Sequence, residues 1–224
     1  MGIHDREYYR DETSGSGWLS GVAPVTQALI LVNIAVFLLR WVFPQWHLAD
    51  YLAAKPEAIF GRGWVWQLLT SAFYHEEPLH ILFNMLVLWW IGRELESMYG
   101  SQEFLRFYLA AAVLSMLCWA AIDYYALHRG QAVAMGASGA VTAGFVLYAM
   151  YYPRREVLLF FVLPMPMWLL CVLFLGLDLL WLIQEFQGQP TAGVAFAAHL
   201  GGAAYGFLYK RFDLRWGRLL GGRM

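Results

Sequence analysis

Long apolar stretches dominate this chain, and short polar or charged connections separate them. Six of the stretches are each close to the roughly 20 residues that a helix needs to cross a bilayer. We place these spans at about 25–43, 79–98, 103–122, 134–151, 167–184 and 192–210. A further apolar stretch, Val157–Leu163, is short and is followed by two prolines, so we expect it at the membrane surface. The pattern predicts an all-α, polytopic membrane protein with six transmembrane helices.

Composition supports this class. Hydrophobic residues make up 60% of the chain and charged residues 14%, whereas soluble domains are about half apolar and a quarter charged. We therefore expect a membrane core at 25–210, between a flexible N-terminal tail, 1–24, and a basic C-terminal tail, 211–224. The net charge of −1 says nothing about nucleic acid, but the lack of a Lys/Arg-rich patch before the C-terminal tail predicts no nucleic-acid partner. The expected surroundings are a lipid bilayer.

The basic residues are distributed unevenly between the two ends of the spans. With the N-terminus inside, four lie outside, namely Arg40, Lys55, Arg62 and Arg129. Eleven lie inside, namely Arg6, Arg10, Arg93, Arg106, Arg154, Arg155, Lys210, Arg211, Arg215, Arg218 and Arg223. Because basic residues favour the cytoplasmic side, we expect both termini in the cytoplasm and the protein in a plasma or inner membrane.

The connection between the first two spans, roughly Pro44 to Pro78, is the longest in the chain and lies outside in this topology. It carries several tryptophans, including Trp46, Trp64 and Trp66. Aromatic residues at this density favour the bilayer interface, and long connections without disorder signals are often functional. We expect an interfacial, structured loop.

Unusual polar residues occur near the outer ends of three spans. The second span carries His80 and Asn84, the fourth carries Ser138, and the sixth carries His199. These three spans run in the same direction, so at a rise of 1.5 Å per residue the four side chains lie on the order of 10 Å below the outer surface. Polar side chains inside a span usually face the bundle interior or a watery cavity. Their common depth predicts one site.

These residue types fit nucleophilic chemistry. A serine hydroxyl becomes a nucleophile when a histidine within hydrogen-bond reach removes its proton, and Ser138 and His199 can form that pair. The oxyanion of acyl transfer needs preorganised donors. The candidates are the Asn84 amide, the His80 ring and the Ser138 backbone N–H near a helix start, and we include Gly136 among the residues that stabilise the oxyanion or the substrate.

Each of these residues, taken alone, also fits a structural role. Small residues around Ser138 are typical of helix packing in membranes, and buried polar side chains often only join helices. His75 and His80 lie five residues apart with Pro78 between them, whereas a zinc-binding helix needs histidines four apart. We therefore predict no metal and no cofactor.

Taken together, the motifs resemble those of the rhomboid intramembrane serine proteases. In family order they are WQLLTSAFYH and HILFN within Trp66–Asn84, GRELESMYGS at Gly92–Ser101, GASGA at Gly136–Ala140, and AHLGGAAYG at Ala198–Gly206. The resemblance covers about the whole membrane core. It implies a six-helix rhomboid-like fold and hydrolysis of transmembrane protein substrates.

The resemblance also implies roles for single residues. Ser138 would be the nucleophile and His199 its general base, a dyad without a required acid. Glu96 would anchor the inner end of span two, and Gly202 and Gly206 would let span six approach span four. Thr142 departs from the aromatic residue that many members carry one turn after the nucleophile to stack on the histidine.

The resemblance further assigns the fifth span and the loop Gln184–Ala195 to a lateral gate and cap. Two other functions remain open beside proteolysis. A catalytically inactive relative that binds membrane segments is expected to lack Ser138 or His199, and both are present. A transporter or channel predicts polar residues along a whole path across the membrane, whereas these cluster in its outer half.

Overall fold

Helices make up most of the protein in the computed structural model, which describes residues 23–159, 162–191 and 193–215. Six helices correspond to the six predicted spans. They are α1 (Pro24–Val42), α5 (Pro78–Tyr99), α6 (Ser101–Ala121), α7 (Ser138–Tyr151), α8 (Met167–Phe186) and α9 (Phe196–Arg211). The all-α, polytopic fold class is therefore confirmed. The predicted N-terminal tail lies almost wholly outside the described residues, as does the C-terminal tail beyond Arg215.

Three helical segments are long and apolar enough to cross a membrane by length and composition alone. They are Pro24–Val42, Ser101–Ala126, in which a π-helical turn at Ile122–Ala126 extends α6, and Met167–Phe186. α7 is apolar but only 14 residues long, and most of its residues are buried. It is therefore a core helix surrounded by the others.

Two of the predicted spans begin later than the sequence indicated. α7 starts at Ser138 rather than at 134, because Ala134 pairs with Ala54 in an isolated β-bridge and Gly136 adopts a φ of +106°. That conformation lies outside the α-helical region and suits only glycine. α9 starts at Phe196 rather than at 192. Both polar site residues, Ser138 and His199, consequently lie in the first turn of their helices.

The long connection between the first two spans folds into short helices. After a 3-10 turn at Pro44–Trp46 come α2 (Leu48–Leu52), α3 (Pro56–Arg62), α4 (Gln67–Thr70) and a second 3-10 turn at Ser71–Phe73. Gln67 is fully buried, and its side-chain oxygen accepts a hydrogen bond from the Lys55 N–H at 3.1 Å. Trp46 and Trp66 are about half exposed, as expected for residues at a bilayer interface.

Two short paired strands lie before the fifth span, which the sequence did not predict. Strand β1 (Glu156–Leu159) pairs antiparallel with β2 (Leu163–Pro166), and Leu158 lies opposite Pro164. Proline lacks an N–H donor and occurs mainly in edge strands. A two-stranded ribbon consists of edge strands alone, so it accommodates both Pro164 and Pro166.

α9 packs most extensively against α7 and then against α6, while α1 and α8 lie at the periphery. Only Met167 and Asp178 of α8 are buried. Its leucines and aromatic residues, such as Leu173, Leu180 and Trp168, are exposed around the helix, as expected for side chains that face lipid. α8 is thus attached to the bundle by few side chains.

Candidate active site

Ser138 opens α7 at the edge of a cavity of about 660 Å³. The N–H groups of the first helical turn have no acceptors within the helix, so the Ser138 N–H makes no hydrogen bond inside α7 and can donate to a ligand. Two local features shape this position: the turn at Gly136 ends the preceding extended segment, and Ala137 caps the helix with almost no side chain. A polar ligand in the cavity can therefore reach both the hydroxyl and the N–H.

His199 lies in the first turn of α9 and faces Ser138. Its Nε2 is 2.9 Å from the Ser138 Oγ, which is hydrogen-bond distance. The predicted pair is thus brought together from two helices. The geometry is that of a hydroxyl within reach of a base, while the catalytic roles of the two residues stay predictions.

Close packing of α7 against α9 makes this approach possible. A Cβ built on Gly202 would collide with the backbone carbonyl of Gly139, and one built on Gly206 would collide with the carbonyl of Ala143. Glycine at these positions lets the two backbones come into contact, as small residues do in membrane bundles. The two glycines therefore occupy the interface that sets the separation of Ser138 and His199.

The other side of the His199 ring contacts α8. The Nδ1 atom is 3.1 Å from the Asp178 Oδ2, and both side chains are almost completely buried. The Phe174 ring stacks on the imidazole at 29° with centroids 5.7 Å apart. The sequence analysis predicted neither contact, because it expected a dyad without an acid. The available signal was a lone carboxylate inside a very apolar span, which by default marks a functional site.

Phe174 supplies the aromatic contact to His199 that Thr142 cannot make. Thr142 is buried on α7 and lines the cavity, but its side chain carries no ring to cover the histidine. The aromatic contact comes instead from α8, where Phe174 packs against both His199 and Phe145. The imidazole is therefore covered by an aromatic ring from a different helix.

Asn84 and His80 lie together near the N-terminal end of α5. The Asn84 Nδ2 donates to the His80 carbonyl at 2.9 Å and approaches the His75 Nε2 at 3.4 Å. Both residues line the cavity together with Ser138. The structure thus gathers the predicted oxyanion donors around one space, and their roles remain predictions.

Gly136 contributes through its backbone shape rather than as a donor. Its N–H donates to the Ser71 carbonyl at 2.8 Å, so this hydrogen is not available to a ligand. A Cβ on Gly136 would lie 2.7 Å from the His80 Nε2. Glycine at this position therefore leaves room for the His80 ring and permits the positive φ.

His75 is a site residue that the sequence analysis considered only as a metal ligand. Its Nε2 accepts a hydrogen bond from the Ala137 N–H at 3.2 Å, directly before Ser138. Burial, and then the neighbouring His80, lower the pKa of His75 to about 3. The ring is therefore neutral at ordinary pH and can act as an acceptor. Its position in the loop before α5 gave no sequence signal for this contact, since His75 and Ala137 are 62 residues apart.

Glu96 lies near the C-terminal end of α5, far along the helix from the cavity. Its carboxylate accepts hydrogen bonds from the N–H groups of Val25 and Thr26, at 3.0 and 2.8 Å, and from the Ser101 hydroxyl at 2.6 Å. A carboxylate at a helix N-terminus satisfies free N–H groups and the positive end of the helix dipole. Glu96 thus joins the start of α1 to the end of α5.

The cavity is lined by side chains of α5, α7 and α8. Besides the polar site it is lined by apolar side chains, including Phe83 and Val87 of α5 and Leu170 and Phe174 of α8. Gly193, Val194 and Ala195, from the loop before α9, complete the lining. The predicted cap loop therefore borders the site, and the gate function of α8 stays a prediction.

The described part of the chain contains no cluster of side chains that commonly bind metal ions. Within residues 23–159, 162–191 and 193–215, no three His, Cys, Asp or Glu side chains gather as metal ligands would. Cys118 and Cys171 are free and half-buried. The polar side chains that line the cavity are two hydroxyls, two imidazoles, an amide and two carboxylates, namely Ser138, Thr142, His80, His199, Asn84, Glu76 and Glu77.

Comparison with protein families gives one match that covers most of the membrane core. The model of the rhomboid domain matches residues 62–216. That range includes every side chain that surrounds the cavity. It begins inside the outer loop and extends beyond α9.

Individual relatives agree with the domain match. Over 92% of its length the chain is 29% identical to RHOMBOID-like protein 12, mitochondrial, of Arabidopsis thaliana. Over 81% it is 33% identical to Rhomboid protein 1, mitochondrial, of Saccharomyces cerevisiae, and over 88% it is 26% identical to Rhomboid protease GlpG of Yersinia pestis. The chain spans 62%, 51% and 65% of these three proteins, respectively.

Proposed function

The chain belongs to the rhomboid family, and from that premise we propose that it is an intramembrane serine endopeptidase. The observation that carries the proposal is the 2.9 Å contact between the Ser138 Oγ and the His199 Nε2 at the edge of the cavity. A relative named as a rhomboid protease supports the same chemistry. The substrate would be a transmembrane segment of another protein, cut within or beside the membrane.

In the first step the Ser138 Oγ attacks the carbonyl carbon of the scissile peptide bond. The His199 Nε2 takes the hydroxyl proton, and the carbonyl oxygen becomes an oxyanion. His199 then passes the proton to the leaving amine as the C–N bond breaks. Water hydrolyses the acyl-enzyme by the same steps, with His199 again as the base.

The oxyanion would accept hydrogen bonds from the Ser138 N–H, the Asn84 amide and the His80 ring. Asn84 already donates to the His80 carbonyl at 2.9 Å. Its second hydrogen makes only the longer 3.4 Å contact with His75, so that hydrogen is the one to exchange for the oxyanion. Preorganised donors of this kind are typically worth about 10²- to 10³-fold in kcat each.

An extended substrate fits the cavity better than an intact helix. Carbonyl groups inside a helix are occupied by hydrogen bonds, whereas attack needs an accessible carbonyl at Ser138. The apolar lining between α5 and α8 suits the side chains of a membrane segment once it has unwound. We therefore expect preferred substrates to carry small or helix-weakening residues near the cut.

The proposal includes a topology and a location. The basic residues favour both termini on the cytoplasmic side of a plasma or inner membrane. Two relatives are named as mitochondrial, so cell fractionation should include organelle membranes. A site opening toward the cytoplasmic face would contradict this topology.

The decisive experiment uses the full chain, purified in detergent and in liposomes, with a model transmembrane substrate. Wild-type protein should cleave it, and Ser138→Ala and His199→Ala should each abolish cleavage. Cleavage that survives Ser138→Ala would overturn the proposal. Substrate binding without any cleavage by the wild type would favour an inactive rhomboid-like protein that binds membrane segments.

A further inference from the structure

We propose that Asp178 is a positioning residue of this active site and that its carboxylate holds His199 in the orientation and tautomer that proton transfer from Ser138 requires. The inference rests on the proposed function and adds a third side chain to the Ser138–His199 pair. It also assigns a role to α8, the helix that carries the carboxylate.

The hydrogen-bond geometry decides the tautomer. A carboxylate oxygen can only accept, so the Asp178 Oδ2, at 3.1 Å, requires a hydrogen on the His199 Nδ1. A neutral imidazole has one hydrogen, so the Nε2 then carries a lone pair. That lone pair faces the Ser138 hydroxyl at 2.9 Å. Asp178 therefore favours the form of His199 that can act as a base.

The burial of the Asp178 carboxylate in an apolar helix indicates that it has a specific partner. Asp178 is 2% exposed on a helix whose other side chains are almost all apolar, and an acid within a span is costly unless it has a partner. Among the described residues, its hydrogen-bond partner is His199. When His199 takes the serine proton it becomes a cation, and a carboxylate in direct contact stabilises that cation strongly where water is scarce.

A second side chain of α8 acts on the same ring. Phe174 lies four residues before Asp178 and therefore on the same helix face, and it stacks on the imidazole from that face. Asp178 fixes the ring at Nδ1, and Phe174 restricts its tilt. α8 has few other buried contacts. The orientation of the base thus depends on α8 being seated against α9.

A purely structural role for Asp178 makes different predictions. A carboxylate that only attaches α8 to α9 would be replaceable by any side chain that restores the attachment. Asp178→Asn keeps the volume and a hydrogen bond to the ring, but its amide can donate to Nδ1 and favour the wrong tautomer. Asp178→Glu keeps the carboxylate and changes the shape. Positioning therefore predicts more activity for Glu than for Asn, and a structural attachment predicts the reverse.

The test measures kcat and KM separately for the full chain in liposomes, together with the rate at which a fluorophosphonate labels Ser138. We expect Asp178→Asn to lower kcat and the labelling rate by roughly 10²- to 10⁴-fold, with KM within about twofold of wild type. Asp178→Glu should retain the larger part of both rates. The matched control is Asp123→Asn, another buried acid, which pairs with Arg129 at 2.7 Å outside the cavity.

The outcomes separate this inference from the proposed function. If Asp178→Asn folds and its kcat stays within twofold of wild type, Asp178 has no positioning role, although cleavage can still depend on Ser138. If cleavage survives Ser138→Ala, the proposed function fails instead. Should Asp178→Asn not fold, Asp178→Glu and Asp178→Leu decide the matter: a folded Leu variant with a wild-type labelling rate would refute the inference.

Discussion

Replacing Gly202 by alanine tests whether helix contact sets the geometry of the site. A Cβ on Gly202 would collide with the carbonyl oxygen of Gly139, well inside the 3.0 Å that real Cβ contacts respect. Neither atom is on a flexible side chain, so the backbones themselves must separate. We estimate a displacement of roughly 1 Å at this height, because close-packed interiors cannot absorb the overlap elsewhere.

The displacement of the backbone at Gly202 is transmitted almost fully to His199, the proposed base. Gly202 follows His199 by three residues, or about 4.5 Å along the helix. The distance from the His199 Nε2 to the Ser138 Oγ would then increase from 2.9 Å to roughly 3.9 Å, beyond hydrogen-bond range. A misplacement of this size typically costs about 10²-fold in rate, and overpacking costs about 1–3 kcal/mol of stability.

The assay compares kcat at saturating substrate with the thermal midpoint of the same preparation. Gly176→Ala is the matched control, since it places the same methyl group on α8 with no atom within 4 Å. Gly206→Ala collides with Ala143 one turn farther from the site, so it should affect stability as much as Gly202→Ala and kcat less. A Gly202→Ala protein with the kcat of the Gly176→Ala control would refute the reasoning.

Three further outcomes follow from the contacts described. Asn84→Ala should lower kcat by about 10²-fold or more through loss of an oxyanion donor, and steady-state kinetics showing a change in KM alone would contradict this. Glu96→Gln removes the charge at the start of α1, where the carboxylate accepts the Thr26 N–H, and should lower the stability by about 1 kcal/mol; an unchanged chemical unfolding midpoint would exclude the capping role. His75 has its pKa lowered to about 3 in the folded protein, so as the pH falls from about 6.5 toward 3 the unfolded chain takes up a proton first and stability is lost. His75→Gln, which does not titrate, should flatten that part of the stability curve in thermal scans between pH 7 and 4, and an unaltered slope would refute the assignment.

The helices could be predicted because a membrane span leaves a strong signal in the sequence. Nearly uncharged apolar runs of sufficient length have few alternatives to a helix in lipid, and this located α1, α5, α6 and α8 to within a few residues. The starts of α7 and α9 were less predictable. The residues before Ser138 are apolar and small, yet Ala134 pairs with Ala54 from the outer loop, and such a long-range pairing has no local signal.

The sequence predicts which residues of α5, α7 and α9 belong to the candidate site. It does not predict which residues of α8 contact that site. The depth of a side chain in the membrane follows from its position along its span. A similar depth therefore identified one group of four residues, namely His80, Asn84, Ser138 and His199. Which face of α8 points inward depends on rotation about its axis, and its apolar residues surround the helix too evenly to fix that rotation. Asp178 was therefore visible as an isolated acid without an identifiable partner.

The position of α9 has a consequence for biosynthesis. This helix is the last of those described to emerge from the ribosome, and yet it occupies the middle of the bundle, between α6, α7 and α8. The earlier helices therefore enter the bilayer before α9 can join them, and the contact between Ser138 and His199 forms only once α9 is in place. Under the proposed function, the protein would acquire its general base only when α9 has inserted between the other helices.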